Sequence, residues 1–229
     1  MTIGRPHRFW GTSLAALAAG SLTAAALAAD SAVVSGGSGA EDEADKRAAS
    51  NALITAAAGG LPIILSVPHG GRAALPGVPA RAGEGASRFN PKSDSNTDIL
   101  AEKLADALER QLGKRPYVVI ARFHRKYLDV NRRPEDAYES GAAKATYDVY
   151  HGAIAAASKE VTARWGRGIV LDIHGQGSMT GVVFRGTQKG KTVAHLLKRS
   201  GREAVSGETS LVGQNLKQGF NVAPPLCSS

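Results

Sequence analysis

The sequence predicts an α/β protein, a mixed, mostly parallel twisted sheet flanked by helices on both faces. Three observations predict it. Short β-branched runs alternate with long helix-forming segments, as strands and their crossover helices do. Two of those runs, 61–67 and 168–173, end directly in histidine and glycine, as Pro68-His69-Gly70-Gly71 and His174-Gly175. Only one ionisable side chain, Asp172, interrupts either run. Open α/β sheets place their ligand crevices beyond the carboxyl ends of strands, so His69 and His174 are expected at such a crevice.

The elements follow in order. The chain has 229 residues, room for one sizeable domain. Arg5, His7 and Arg8 precede an uncharged Ala/Leu-rich stretch from Leu14 to Leu27, and Ala26-Leu27-Ala28 has the A-x-A form of a cleavage site. Residues 1–29 therefore read as a secretory signal peptide, with export to the periplasm or the extracellular medium. No later stretch approaches the ~20 apolar residues of a membrane span, so no membrane association is expected after its removal. Residues 30–50 are small, polar and acidic and read as a flexible linker. The domain is expected over 51–229.

Within it, 61–67 is the first strand. The stretch 70–95 holds five glycines and three prolines and reads as a long loop. Ser95 and Asp98 have capping-box spacing at the start of a helix. Leu100, Leu104, Leu108 and Leu112 form its apolar stripe, and Gly113 stops it. Tyr117–Ala121 is a second strand and Lys126–Val130 a third. A second helix covers 143–164, with Tyr147, Tyr150, Ile154 and Val161 on one side. The strand 168–173 follows, then a short strand at Val182–Phe184, helices at Thr192–Lys198 and Glu208–Gln218, and a final strand fragment at Phe220–Val222. The last nine residues bring no closing element, so the domain is expected to be incomplete at its C-terminus.

Composition excludes several function classes. The formal net charge is +8, but the basic residues are scattered and no run of five occurs. That argues against nucleic acid and leaves room for a basic pocket that takes a small anionic substrate. Cys227 is the single cysteine, so no intrachain disulfide forms.

The two histidines lead the chemistry. A catalytic zinc site needs about three protein ligands and one open position, and two imidazoles with one carboxylate meet that need. Asp98 is the first candidate for the carboxylate, with Asp94 and Glu84 behind it, although Asp98 has a competing role as a helix cap. The run Asp129-Val130-Asn131-Arg132-Arg133 suits capture of a carboxylate by arginine and asparagine at a strand end; Arg122 and Arg125 extend the positive charge. His151 reads as structural. Two motifs fail. Gly186–Thr192 is one residue short of a phosphate-binding loop, and no G-x-S-x-G elbow occurs.

Taken together, Ser66-Val67-Pro68-His69-Gly70-Gly71, Asn96-Thr97-Asp98, Asp129-Val130-Asn131-Arg132 and Asp172-Ile173-His174-Gly175 resemble the N-formylglutamate amidohydrolase family, a relative of the zinc carboxypeptidases and aspartoacylases. The resemblance runs from about residue 60 to about residue 225. It implies a zinc carboxypeptidase-like sheet and one Zn2+ ion held by His69, His174 and an acidic residue placed at Asp98. It implies a substrate carboxylate held by Asn131 and Arg132, with help from Arg125. The implied reaction is hydrolysis of the amide bond in N-formyl- or N-acyl-amino acids. The family's general base, a glutamate after the second histidine, has no counterpart. Glu203 and Glu208 are the only side-chain carboxylates past His174 and lie in the wrong context, so the base is expected beyond the chain end and the chain is expected to be a truncated form. The alternative reading is an exported, non-catalytic binding protein for small anionic ligands.

Overall fold

The computed structural model describes residues 53–86, 89–186 and 190–223. The expected signal peptide and linker, Cys227 and residues 187–189 of the failed phosphate-loop motif lie outside them. No helix among the described residues is long and apolar enough to cross a membrane.

Four strands form the main sheet: β1 (Ile54–Ala57), β2 (Ile63–Val67), β3 (Tyr117–Ala121) and β4 (Ile169–Asp172), in the order β1-β3-β2-β4. β3 and β4 both run parallel to β2, and β1 runs antiparallel to β3. The sheet is thus mixed and mostly parallel. Helix α1 (Thr97–Leu112) joins β2 to β3, and after the short helix α2 (Pro134–Ala137) the long helix α3 (Lys144–Trp165) leads into β4.

Side-chain alternation shows that the two long helices cover opposite faces. Val118 and Ile120 of β3 pack with Leu65 and Val67 of β2 and with Ala101 and Ala105 of α1. Tyr117, with Ile64 of β2, packs against Ala157 and Val161 of α3, and Val119 and Ala121 pack with its Tyr150. All five residues of β3 are buried, as expected of a strand covered on both faces.

Four sequence expectations are corrected. The leucine stripe is not the buried face of α1. Thr97, Ala101 and Ala105 are buried, whereas Leu100 and Leu112 are exposed, because small side chains let the helix approach the sheet closely. The capping box does not form: Asn96 takes the N-cap in a left-handed conformation without a side-chain cap, and Thr97 Oγ1 donates to the Asp94 carbonyl at 3.0 Å. Lys126–Val130 is a tight turn rather than a strand. Tyr127 N–H donates to the His124 carbonyl and Arg132 N–H to that of Asp129, and nearby Phe123 makes only an isolated bridge to Ala73. Finally, β1 is an element the pattern does not announce, since Ile54 alone of its four residues is buried.

Beyond His174 lies a second group of elements: β5 (Val182–Phe184), α4 (Lys191–Ser206, kinked at Gly201), α5 (Leu211–Lys217) and β6 (Asn221–Ala223). β5 and β6 pair in parallel, α5 packs on β6 and α4 on α5. Among the described residues no element of this group packs against an element of the main sheet.

The segment after β2 is held by close backbone approach. A Cβ on Gly71 would overlap the Arg122 carbonyl group of the β3 exit, and one on Gly70 would stand 2.7 Å from the Asp98 nitrogen at the start of α1. A Cβ on Gly152, exposed in the middle of α3, would meet nothing within 4 Å. Gly71→Ala should therefore cost about 3 kcal/mol or more in chemical denaturation. Gly152→Ala should add about 0.5–1 kcal/mol by removing unfolded-state freedom.

Candidate metal centre

Parallel pairing of β2 with β4 sets Ser66 opposite Asp172. The chain then needs only three residues to reach His69 and two to reach His174, so the two imidazoles emerge side by side at the carboxyl ends of neighbouring strands. Their Nδ1 atoms lie 3.2 Å apart. Asp94 joins them from the loop before α1. Its Oδ2 is 3.0 Å from His174 Nδ1 and 3.4 Å from His69 Nδ1. Two backbone bonds fix it there: Asp94 N–H donates to the His69 carbonyl at 2.9 Å, and Gly175 N–H donates to Asp94 Oδ2 at 3.0 Å. Gly175 also permits the approach, since its Cβ would come within 3.1 Å of Asp94 Cβ.

The far nitrogen of each ring faces a carboxylate. His69 Nε2 lies 2.7 Å from Asp129 Oδ1, and His174 Nε2 lies 2.9 Å from Asp172 Oδ2. An ionised carboxylate only accepts, so each Nε2 carries the proton and donates it. In the neutral ring each Nδ1 is then a bare lone pair. The three converging atoms, two imidazole nitrogens and a carboxylate oxygen, are all acceptors, and they repel unless a proton or a cation lies among them.

The charges reflect this. Burial disfavours the His174 imidazolium, but hydrogen bonds to Asp172 and Asp94 outweigh it and push the group up to about 9. Burial would raise the Asp94 carboxyl, yet hydrogen bonds from His174 and His69 hold it well below its ordinary value. Asp129, fully buried, is depressed in the same way by His69 and Arg125.

The structure fits a metal ion here. Ligand atoms at about 2.0–2.1 Å around a tetrahedral ion stand about 3.3 Å apart, and the three separations of 3.0, 3.2 and 3.4 Å surround that value. His69, Asp94 and His174 are the group of ligand-type residues that converges among the described residues. Ring N–H groups held by carboxylates are the usual outer shell of metal-bound histidine.

The other expected site residues lie around this group. Asp98, expected as the third ligand, is outside it; its Oδ2 faces Arg122 Nη1 at 3.7 Å. Glu84 is exposed in the loop after β2. Arg125 is buried, its Nε and Nη2 2.8 and 2.6 Å from Asp129 Oδ2. Asn131 is exposed beside the site, its Nδ2 3.1 Å from His174 Nε2. Arg132 is half-buried. Its Nη1 donates to the Asn131 carbonyl at 3.3 Å, and its buried Nε faces Asp129 Oδ2 at 3.6 Å, beyond hydrogen-bond distance. Sequence reading gave no role to Asp129 or Asp172. The signal for Asp172 was present, a lone charge in an apolar strand two residues before a histidine.

Residues 61–149 match the family model described as N-formylglutamate amidohydrolase. The resemblance read from the motifs is shown over that span, which holds His69, Asp94, Asp129, Asn131 and Arg132 and stops before His174. No curated protein and no solved structure matches the chain.

The elevated His174 group makes metal-free stability depend on pH. A raised folded-state value favours the fold fully below the ordinary value of 6.5, and the benefit is lost as pH rises through about 9. The depressed Asp94 and Asp129 carboxyls titrate below this window and add nothing to its slope. Chelator-treated protein should therefore melt at progressively lower temperature from pH 6.5 to 9, and His174→Gln should flatten that trend.

Proposed function

We propose that the chain is a zinc-dependent hydrolase of the amide bond in N-formyl- or N-acyl-amino acids, with His69, Asp94 and His174 as the metal ligands. The observation that carries the reading is the convergence of two imidazole nitrogens and a carboxylate oxygen, each held from behind, in a chain whose residues 61–149 match an amidohydrolase family. Two imidazole nitrogens and one carboxylate oxygen form a donor set that suits zinc. Zinc in such a site acidifies water and polarises an amide carbonyl.

The chain's own residues supply the rest. Asp129 and Asp172 keep the ring protons on Nε2. Asn131 is exposed beside the group and Arg132 is half-buried next to it, its Nε turned inward 3.6 Å from Asp129 Oδ2; the outer nitrogens of that guanidinium bind and orient the carboxylate of an acylated amino acid. Arg125 takes no part in this, since two of its nitrogens are committed to Asp129. Its task is to keep Asp129 ionised under His69. No residue of the chain is assigned as the base that accepts the water proton.

Metal analysis of purified protein tests the ligand set. About one zinc per chain is expected, lost in His69→Ala, His174→Ala and Asp94→Ala and retained in Asp98→Ala. A wild-type protein that takes up no zinc, or loss of the metal in Asp98→Ala but not in Asp94→Ala, would overturn the assignment.

Formate release from N-formylglutamate tests the substrate site. Arg132→Ala should keep its zinc and raise KM by about tenfold or more, the scale of one charge-assisted hydrogen bond. An unchanged KM would remove Arg132 from the reading.

A further inference from the structure

We propose that Ser66 and Tyr150 are positioning residues for the metal site, acting through Asp172 on His174. The proposal rests on the zinc reading above. Tyr150 OH lies 2.8 Å from Ser66 Oγ, and Ser66 Oγ donates to Asp172 Oδ1 at 2.9 Å. The other oxygen of the same carboxylate receives His174 Nε2–H at 2.9 Å. Every proton in this chain has one place to go. Asp172 only accepts, so the single serine proton points to it, and the phenol proton must point to Ser66. Burial, with the Asp172 carboxylate nearby, pushes the Tyr150 phenol well above its ordinary value and keeps that proton in place.

Fold geometry makes the chain possible. Ser66 and Asp172 are register partners on β2 and β4, and Ser66 points to the face covered by α3, which carries Tyr150. Both Ser66 and Tyr150 are buried between the sheet and α3, in a layer whose other members are mostly apolar. Two hydroxyls in such a layer offer little net stability over alanine and phenylalanine. What they do is hold Oδ1 of Asp172, which aims Oδ2 at His174 Nε2 and turns Nδ1 towards Asp94. The other half of the site has the same construction. Asp129 holds His69, and Arg125 grips the Asp129 oxygen that His69 does not use. Each imidazole thus rests on a carboxylate, and each carboxylate on a second group.

The test uses the full chain, stripped of metal and titrated with zinc against a chromophoric chelator, with the visible spectrum of the cobalt-loaded protein as second readout. Ser66→Ala should weaken zinc binding by about 10-fold or more, the usual effect of removing an outer-shell partner, and should shift the cobalt bands. Tyr150→Phe should do the same by a smaller factor. The double variant should bind no more weakly than Ser66→Ala, because the phenol acts only through the serine. Wild-type affinity and spectrum in all three, with only the melting temperature lowered, would make both residues structural and overturn the proposal while sparing the zinc reading. Failure of the wild-type chain to bind zinc would overturn both. Tyr150→Phe, which removes a single oxygen, keeps the test decisive if Ser66→Ala does not fold.

Discussion

Two imidazole nitrogens and a carboxylate oxygen lie within 3.4 Å of one another, an arrangement that calls for a proton or a cation among them, and strand register, backbone amides and neighbouring carboxylates hold it together. The backbone supplies part of the restraint. Parallel strands deliver both histidines to the same end of the sheet, and the Gly175 amide anchors Asp94. Two carboxylates, buried Asp129 and half-buried Asp172, supply the remainder by holding each ring at its far nitrogen. Removing any of these leaves the three atoms free to move apart, which is the cheaper state without a proton or a cation among them.

This cost explains the unusual amount of charge beneath the site. Asp129 is fully buried, yet His69, Asn131 and Arg125 satisfy both its oxygens. A buried ion pair seldom adds net stability. Here Arg125 and Asp129 hold a histidine in one tautomer, a task for which an apolar pair is useless. The arginines of this region thus differ in setting, Arg125 buried against Asp129 and Arg132 half-buried beside it.

Much of this was legible in the sequence because it follows short-range rules. The β-branched runs that end in His-Gly named both histidines, and alternating strand and helix patterns gave the sheet and its two covering helices. What was misread depended on long-range packing. The leucine stripe of α1 obeyed helical spacing, but the depth of the groove against the sheet chose Ala101 and Ala105. Asp98 had a capping pattern, whereas Asp94 reaches the histidines through a backbone bond to His69 that no local pattern encodes. The partnership of Tyr150 with Ser66 spans 84 residues and was invisible for the same reason.

The glycines beside His69 have one more consequence. Gly70 and Gly71 press the backbone after His69 against α1 and the β3 exit so closely that neither has room for a methyl group, and Ser93 Oγ donates to the Gly71 carbonyl. His174, in contrast, leads into exposed residues from Gly175 onward. The two histidines therefore sit in unlike settings, His69 enclosed by closely packed backbone and His174 at the border with solvent.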